Sequence, residues 1–206
     1  MAAEERKLRR TAADWEERYH ARDTPWDTGL VDPALRDVVE AGCLKPCRAV
    51  EFGCGTGTNA VYLAERGFDV TGVEYSQLAI DQARGKAEHA GVRISWQVGD
   101  LANLEAPAEP YELLFDRGCY HCMRRAGLLS AYQAAVGRLL SSGARIVILA
   151  GNSDDTVEGG PPKVSAAELC GDFEKLCRIE SLAAYRFEDF GGKPGPLAWK
   201  LLMTRR

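Results

Sequence analysis

The 206-residue sequence has no apolar run that approaches the roughly 20 residues a membrane-spanning helix needs. It also lacks a strong charge of either sign, because 26 Lys and Arg oppose 30 Asp and Glu for a net charge of −4. A mildly acidic chain has no overall attraction for nucleic acid. These two absences argue against a membrane protein and against a nucleic-acid-binding protein.

The cysteines do not form the pattern of a disulfide framework. There are seven, an odd number, and no segment has the features of a signal peptide. Such cysteines are expected to be reduced thiols, so we expect a soluble, cytoplasmic protein. With 46% hydrophobic residues, the chain can bury the core of one domain, and we expect a single domain over 1–206 that acts as a monomer.

Residues 49–64 carry the most informative motif. An apolar run at 49–52 predicts a buried strand, three glycines follow at 53, 55 and 57, and residues 59–64 predict a helix with one apolar face. A strand, a glycine turn and a helix start make up the first unit of a nucleotide-binding βαβ fold. In that unit the backbone approaches the ligand closely.

Two acidic residues define the ligand. Glu51 lies two residues before the first glycine, where a carboxylate would repel a pyrophosphate but can bind a cationic amino group. Glu74 ends a second predicted strand at 69–74, about 20 residues past the glycine turn, where an acid typically holds ribose hydroxyls. The implied ligand is a nucleoside with a positively charged amino acid tail.

These motifs resemble those of the Rossmann-like (class I) S-adenosylmethionine-dependent methyltransferases. Glu51 and the glycines are similar to the first motif of that class, which lines the methionine part of the cofactor, and Glu74 is similar to its ribose-binding acid. Gly99-Asp100-Leu101 is similar to the place where an Asp meets the adenine amino group. The resemblance implies S-adenosyl-L-methionine as the cofactor and S-adenosyl-L-homocysteine as its product.

One stretch indicates a branch of this class. Asp116-Arg117-Gly118 resembles a stretch of the thiopurine S-methyltransferase, tellurite-resistance and thiol methyltransferase branch, in which the Arg lies by cofactor and substrate. Tyr75, next to Glu74, would lie against the nucleoside. The resemblance implies cofactor contacts at Trp15, Tyr19, Trp26, Gly29, Glu51, Gly53, Cys54, Gly55, Thr56, Glu74, Tyr75, Asp100, Leu101, Asp116 and Arg117.

The amino-terminal segment is rich in aromatic residues. Trp15 and Tyr19 lie four apart on a predicted helix, and Trp26 follows in a turn. Core packing explains such a pair. The resemblance implies a second explanation, because a Trp-containing segment closes over cofactor and substrate in thiopurine methyltransferases and their relatives. We therefore expect a helical lid at 1–32 on a Rossmann-like core at 33–206.

Residues 115–123 form a second site-bearing stretch with three interpretations. A zinc site would use Cys119, His121 and Cys122, but structural zinc takes four ligands and no matching second cluster is present. A Cys-x-x-Cys redox pair at a helix start is the second interpretation. In the third, which we favour, no metal binds. The stretch lines the acceptor pocket, or the cysteines simply fill space.

The catalytic residues expected from this stretch are Arg117 and His121. Methyl transfer needs alignment more than acid–base chemistry, and a thiol becomes a nucleophile by forming its thiolate. We expect Arg117 to stabilise an anionic or thiolate substrate and His121 to accept or share its proton. The alternative for Arg117 is a structural ion pair with an acid of the sheet.

The remaining pattern predicts an α/β fold. Alternating runs at 178–187 and 197–204 predict an antiparallel hairpin, so we expect a mostly parallel seven-stranded sheet with a reversed carboxyl-terminal strand and helices on both faces. A polar loop at 151–162 is either a binding loop or a surface connection. Ser165 and Glu168 form a capping box that opens a helix. We also expect Asp32 to be the N-cap of a helix, Ser76 to cap a helix that ends at Gly91, an amphipathic helix over 126–140 and a buried strand over 143–150.

The expected activity is S-adenosylmethionine-dependent methylation of a small molecule, with a thiol or another soft atom (S, Se or Te) as acceptor. The sequence lacks an Asn-Pro-Pro-Tyr-like tetrapeptide, which argues against methylation of nucleic bases or glutamine. Two alternatives remain at this stage. An NAD-dependent oxidoreductase is disfavoured by Glu51 and by the Gly-x-Gly-x-Gly spacing. The other alternative is a non-catalytic module that binds the methyl donor.

Overall fold

A computed structural model describes residues 11–187 and 195–206, so the charged stretch at 1–10 and most of the turn at 191–196 lie outside the described residues. The strands are β1 (Arg48–Phe52), β2 (Asp69–Glu74), β3 (Ser95–Val98), β4 (Tyr111–Arg117), β5 (Leu140–Asn152), β6 (Lys163–Val164), β7 (Cys177–Arg186) and β8 (Leu197–Arg205). The α-helices are α1 (Ala12–His20), α2 (Pro33–Glu40), α3 (Thr58–Glu65), α4 (Gln77–Ala90), α5 (Cys119–Arg125), α6 (Leu129–Leu139) and α7 (Ala166–Phe173).

The strands form one sheet in the order β3-β2-β1-β4-β5-β8-β7. Strands β1 to β5 are parallel, whereas β8 is antiparallel to β5 and β7 is antiparallel to β8. The reversed last strand and the hairpin are therefore confirmed. The sequence did not indicate β6, a two-residue strand that pairs with the end of β5 inside the predicted loop region.

Both faces of the sheet are covered by helices, as expected. Along β4, Leu114 packs in the cluster that includes residues of α6 and α7, whereas Leu113 and Phe115 pack in the cluster on α2 and α3. This alternation follows from the two-residue period of a strand. The two clusters bury both sides of the sheet and leave its strand ends for a site.

Most helix termini follow their sequence signals. Ser76 caps α4 by accepting from Ala79 N–H (3.0 Å), and Gly91 ends that helix with φ +69°. Ser165 and Glu168 form the predicted capping box of α7. These short-range signals place both of these helices correctly along the chain.

One predicted helix has different bounds. The sequence predicted a helix over 126–140, but α6 covers Leu129–Leu139 and Leu140 already belongs to β5. Gly127 adopts φ +73°, which breaks the chain between α5 and α6. Strand β5 is correspondingly longer than the predicted 143–150.

The carboxyl ends of the parallel strands β1, β2, β4 and β5 meet at one edge of the sheet, where ligands bind in open α/β folds. Helix α1 is fixed near this edge because the Glu16 carboxylate accepts from Leu78 N–H at the start of α4 (3.3 Å). Within the described residues, no helix is long and apolar enough to cross a membrane.

Candidate cofactor and acceptor site

The glycine turn follows β1 directly and requires glycine for two reasons. Gly53 and Gly55 have φ of +65° and +53°, a region that other residues rarely adopt. A Cβ at Gly53 would lie 2.9 Å from Cβ of Cys119, and one at Gly55 would lie 3.0 Å from the Tyr19 hydroxyl. The turn is therefore packed against α5 on one side and against the lid on the other.

Trp96 supports the turn from β3, and the sequence reasoning missed it. A Cβ at Gly57 would lie 2.7 Å from the Trp96 ring, and one at Gly72 would lie 2.5 Å from it. Gly72 is the register partner of Trp96 across β2 and β3. A glycine in β2 opposite a tryptophan in β3 was the available signal.

Glu51 is a buried carboxylate with one free oxygen. It is 2% exposed and lines the pocket, and its Oε2 has no hydrogen-bond partner among the described residues. Burial raises the pKa of this carboxyl to about 8, while hydrogen bonds from the Asn59 side chain and the Ala60 amide act in the opposite direction. A buried, unpaired carboxylate oxygen at a pocket wall suits a cationic ligand group.

Glu74 and its neighbours bring together the predicted ribose and adenine positions. Glu74 accepts from the N–H groups of Gly55 (3.1 Å), Tyr75 (2.8 Å) and Ser76 (3.2 Å), and burial raises its pKa. The Tyr75 hydroxyl hydrogen-bonds to Asp100, which with burial raises the pKa of that tyrosine.

Asp100 also shapes the backbone that follows it. Its Oδ1 accepts from Ala102 N–H (2.9 Å) and caps a short 3₁₀ turn at Leu101–Asn103, in which Leu101 is 5% exposed. The acids at the ends of β2 and β3 thus both bind backbone N–H groups, and both contact Tyr75.

The aromatic residues of the lid form one cluster. Trp26 packs edge-on against Trp15 (5.5 Å between ring centroids) and Tyr19 (6.2 Å), and the Arg18 guanidinium lies 4.1 Å from the Trp26 ring centroid. Tyr19, Trp26 and Gly29 line the same pocket as Glu51. The segment therefore packs as a small core and also forms a wall of the pocket, so the two interpretations of its aromatic residues are compatible.

A polar cluster ties the lid to the glycine turn. The Thr56 hydroxyl donates to Asp27 of the lid (2.9 Å) and accepts from Lys86 of α4, which also donates to Thr58 (2.8 Å). Burial lowers the pKa of Lys86, and Asp27 opposes this change. The sequence gave no signal for Lys86, because nothing in its spacing on α4 indicates these partners.

Arg117 ends β4 and lines the pocket with three fixed contacts. Its Nε donates to Oδ2 of Asp32 (2.8 Å), its Nη1 donates to the Trp26 carbonyl (3.0 Å), and its guanidinium lies 4.8 Å from the Phe187 ring centroid. The alternative of an ion pair therefore occurs, although the partner is the N-cap of α2 and not an acid of the sheet. The same side chain remains at the pocket wall.

Asp116 organises the start of α5. It is fully buried and accepts from Cys119 N–H (2.9 Å), Tyr120 N–H (3.0 Å) and the Tyr132 hydroxyl (2.7 Å). Burial raises the pKa of this carboxyl to about 7, against these hydrogen bonds. These contacts are internal to the protein, and contact with the cofactor stays a prediction for Asp116.

His121 is buried in a state that opposes the expected proton acceptance. Its Nδ1 accepts from Gly151 N–H (3.0 Å), which leaves the ring proton on Nε2. Burial, with a contribution from Arg117, lowers the pKa of this imidazole to about 3. This geometry allows His121 to donate through Nε2, whereas a role as proton acceptor does not fit it.

None of the cysteines in the described residues is joined in a disulfide. Burial raises the pKa of Cys119 well above its ordinary value, whereas a reactive redox pair needs a lowered thiol pKa. In the part of the chain that the structure describes, no group of three or more His, Cys, Asp or Glu side chains could hold a metal ion. Cys119 instead packs at the edge of the core beside Gly53.

Comparison with known families identifies the class of protein. The family model for thiopurine S-methyltransferase matches residues 10–192 of the chain. The chain belongs to the thiopurine S-methyltransferase family. It is therefore an S-adenosylmethionine-dependent methyltransferase that acts on small molecules, which decides against an NAD-dependent oxidoreductase and against a non-catalytic module.

Relatives of this methyltransferase support the same conclusion. It is 30% identical to a probable thiol methyltransferase 2 of Arabidopsis thaliana over 77% of this chain and 70% of the relative. It is 27% identical to the 2-heptyl-1-hydroxyquinolin-4(1H)-one methyltransferase of Mycobacteroides abscessus over 79% of this chain and 72% of that protein.

A solved structure shares the fold. It comes from work on the conversion of a disulfide bond into a thioacetal group in echinomycin biosynthesis and superposes with a TM-score of 0.76. The two chains are 27% identical, and the match covers 88% of this chain and 84% of the other.

The residues present fit the methyl donor of the family. The free, buried oxygen of Glu51 suits the cationic amino group of S-adenosylmethionine. In the glycine turn the backbone itself lines the pocket, and a side chain at Gly53 or Gly55 would collide with neighbouring residues. Both features concern the pocket itself and agree with the cofactor assigned by the family.

Proposed function

We propose that this methyltransferase acts on a small-molecule thiol, or a similarly soft nucleophile, that enters the site as an anion. The proposal rests mainly on one contrast at the acceptor side, which we define as Arg117, Asp32 and His121. A fixed cation is present there, but the imidazole next to it is not a base at neutral pH. An acceptor that is already ionised needs no base.

The donor side, defined as Glu51, Glu74 and the glycine turn, would hold the cofactor. Glu51 binds the amino group, Glu74 the ribose, and Tyr75 with Asp100 and Leu101 the adenine. When bound, S-adenosylmethionine would supply a methyl group on a positively charged sulfur, with S-adenosylhomocysteine as the leaving group. The lid residues Trp15, Tyr19, Trp26 and Gly29 exclude water from this reaction.

Arg117 would bind the anionic acceptor. Its Nη2 has no hydrogen-bond partner among the described residues, while Nε and Nη1 are held by Asp32 and the Trp26 carbonyl. A charge-assisted hydrogen bond from Nη2 favours the thiolate over the thiol, because it stabilises only the ionised form of the acceptor. His121 can add a second donor through Nε2.

The relatives favour the same acceptor class. One is named as a probable thiol methyltransferase, and the family itself is named for methylation at sulfur. The quinolone relative acts on a compound that carries a 1-hydroxy group, so a hydroxylated heterocycle is the competing acceptor to test.

The test compares acceptors that share a ring and differ in one atom. Thiophenol, phenol and aniline are each supplied with S-adenosylmethionine, and S-adenosylhomocysteine release is measured. We expect thiophenol to be methylated at least 100-fold faster than the other two, because it is largely ionised near neutral pH. Equal or faster methylation of phenol or aniline contradicts the proposal. A 1-hydroxyquinolone serves as a fourth acceptor for the competing class.

Three further expectations stay predictions. They are a monomeric state, a cytoplasmic location, and a division into a lid at 1–32 and a core at 33–206. Light scattering, imaging of a tagged protein and limited proteolysis with and without S-adenosylhomocysteine test them in turn.

A further inference from the structure

Asp32 is a buried carboxylate that links four elements of the fold. Its side chain is fully buried. Oδ1 accepts from Ala34 N–H of α2 (2.9 Å), and Oδ2 accepts from Arg117 of β4 (2.8 Å) and from the Tyr185 hydroxyl of β7 (3.2 Å). Its own N–H donates to Oδ1 of Asn59 in α3 (3.0 Å).

Capping alone does not require a carboxylate at this position. Ser, Thr and Asn cap helices about as well as Asp, and each is neutral. A buried carboxylate is costly unless it is paired and hydrogen-bonded. The second oxygen of Asp32 meets this requirement through Arg117, a residue 85 positions away in the chain. The negative charge of Asp32 therefore stabilises the pairing with Arg117 and is not needed to cap α2.

The contacts of Arg117 define one orientation of its guanidinium. Asp32 holds Nε and the Trp26 carbonyl holds Nη1, while Nη2 has no hydrogen-bond partner in 11–187 and 195–206. Arg117 also lines the pocket, with 16% of its side chain exposed. A guanidinium anchored at two of its three nitrogens presents the third without further loss of side-chain freedom.

We propose that Asp32 is a positioning residue for methyl transfer: it anchors Nε of Arg117 so that the Nη2 edge meets the anionic acceptor. This inference rests on the acceptor role of Arg117 proposed above. Asp32 itself touches neither cofactor nor acceptor. The Asp32–Arg117 ion pair as a whole carries no net charge to attract anions from a distance, so the guanidinium selects by short, directed hydrogen bonds.

Two variants separate positioning from capping. Asp32→Ser keeps an oxygen for Ala34 N–H but removes the charge and the acceptor for Arg117. Asp32→Asn keeps the shape but offers one oxygen where two are needed. We expect both to lower kcat/KM for thiophenol at least 20-fold. The dissociation constant for S-adenosylhomocysteine should stay within threefold, because Glu51 and Glu74 are untouched.

A double-variant cycle provides the readout that a merely structural role would not produce. If Asp32 acts through Arg117, the Asp32→Ser/Arg117→Met protein is no slower than Arg117→Met alone. Ser165→Ala is the matched control for lost stability, since it removes the cap of α7 away from the site. It should lower the melting temperature and leave turnover unchanged.

The outcomes distinguish this inference from the proposed function. If Arg117→Met loses turnover while both Asp32 variants keep it, the positioning role is overturned and the proposed function stands. Multiplying losses in the double variant likewise overturn it, because Asp32 then acts independently of Arg117. If Arg117→Met retains full thiol turnover, both proposals are overturned. A parallel loss of thiol turnover and cofactor affinity in Asp32→Ser identifies a general structural role and also contradicts positioning.

Discussion

The donor side and the acceptor side of the pocket are constructed differently. On the donor side, Glu51 and the glycines are within seven residues of each other, and Glu74 ends the adjacent parallel strand. On the acceptor side, Arg117 depends on Asp32, far away in the chain, and on the carbonyl of Trp26 in the lid. The donor side is a local motif, whereas the acceptor side exists only after the chain has folded.

The electrostatics of the two sides differ as well. Glu51 is a buried acid with a raised pKa, and its Oε2 has no hydrogen-bond partner among the described residues. A cationic group of a ligand can supply that partner. Arg117 already has its counter-ion in Asp32 and offers hydrogen-bond donors instead of a free charge. We therefore expect the donor side to bind the cofactor through the charge of its amino group, and the acceptor side to orient the acceptor.

The largest expected effect on cofactor affinity comes from a change to the donor side alone. In Glu51→Gln the shape is kept but the negative charge is lost, and a hydrogen bond to a charged group contributes about 1.5–3 kcal/mol. Affinity for S-adenosylhomocysteine should fall by roughly 10- to 100-fold by calorimetry. The KM for thiophenol, measured with saturating methyl donor, should change by less than threefold. Unchanged cofactor affinity contradicts the assignment of Glu51.

The second prediction concerns the pH dependence of cofactor affinity, which involves Glu51 of the donor side. Burial raises the pKa of Glu51 to about 8; Asn59, Arg117 and the Ala60 amide oppose this shift, and Asp116 adds to it. Below about pH 8 the ligand-free protein therefore carries a proton on Glu51, and binding of a cationic amino group releases it. Affinity for S-adenosylhomocysteine should fall by up to about tenfold per pH unit as pH decreases below that value.

Calorimetry in two buffers of different ionisation enthalpy measures this released proton directly. The Glu51→Gln protein is the control, since its affinity should not follow this pH dependence. A flat affinity between about pH 6 and 8 in the unsubstituted protein would show that Glu51 is already ionised in the free site.

The smallest expected effect tests the contact between turn and lid. In Gly55→Ala the residue must keep φ +53° and place its Cβ 3.0 Å from the Tyr19 hydroxyl. The backbone conformation costs about 1–2 kcal/mol, so the melting temperature should fall by a few degrees, and cofactor affinity should fall about fivefold. Gly85→Ala is the control: it lies in α4 with nothing within 4 Å of the added Cβ, and it should be neutral or stabilising.

The sequence predicted elements whose signals are local. Strand β2 and helix α4 have the predicted bounds, because signals such as the Ser76 cap and Gly91 act within a few residues. The glycine turn and the two acids of the donor side are local signals of the same kind, and their contacts with the cofactor stay a prediction. The start of α6 was wrong because Gly127 interrupts a run that otherwise has a helical pattern.

The acceptor side could be predicted only in part. Asp32 was expected as an N-cap, which is confirmed, but no spacing indicates its pairing with Arg117 or with Tyr185. The protonation of His121 depends on the Gly151 amide and on burial, neither of which a sequence pattern encodes. Lys86 was missed for a similar reason, since its partners lie on other elements.

The most direct test of the difference between the two sides is one variant measured in two ways. Arg117→Met removes the cation and its fork of donors, with Arg117→Lys as a control that keeps the charge alone. We predict that thiophenol turnover falls at least 100-fold, while the dissociation constant for S-adenosylhomocysteine stays within threefold at a temperature where the protein is folded. Cofactor affinity that falls in parallel with turnover would contradict separate donor and acceptor sides.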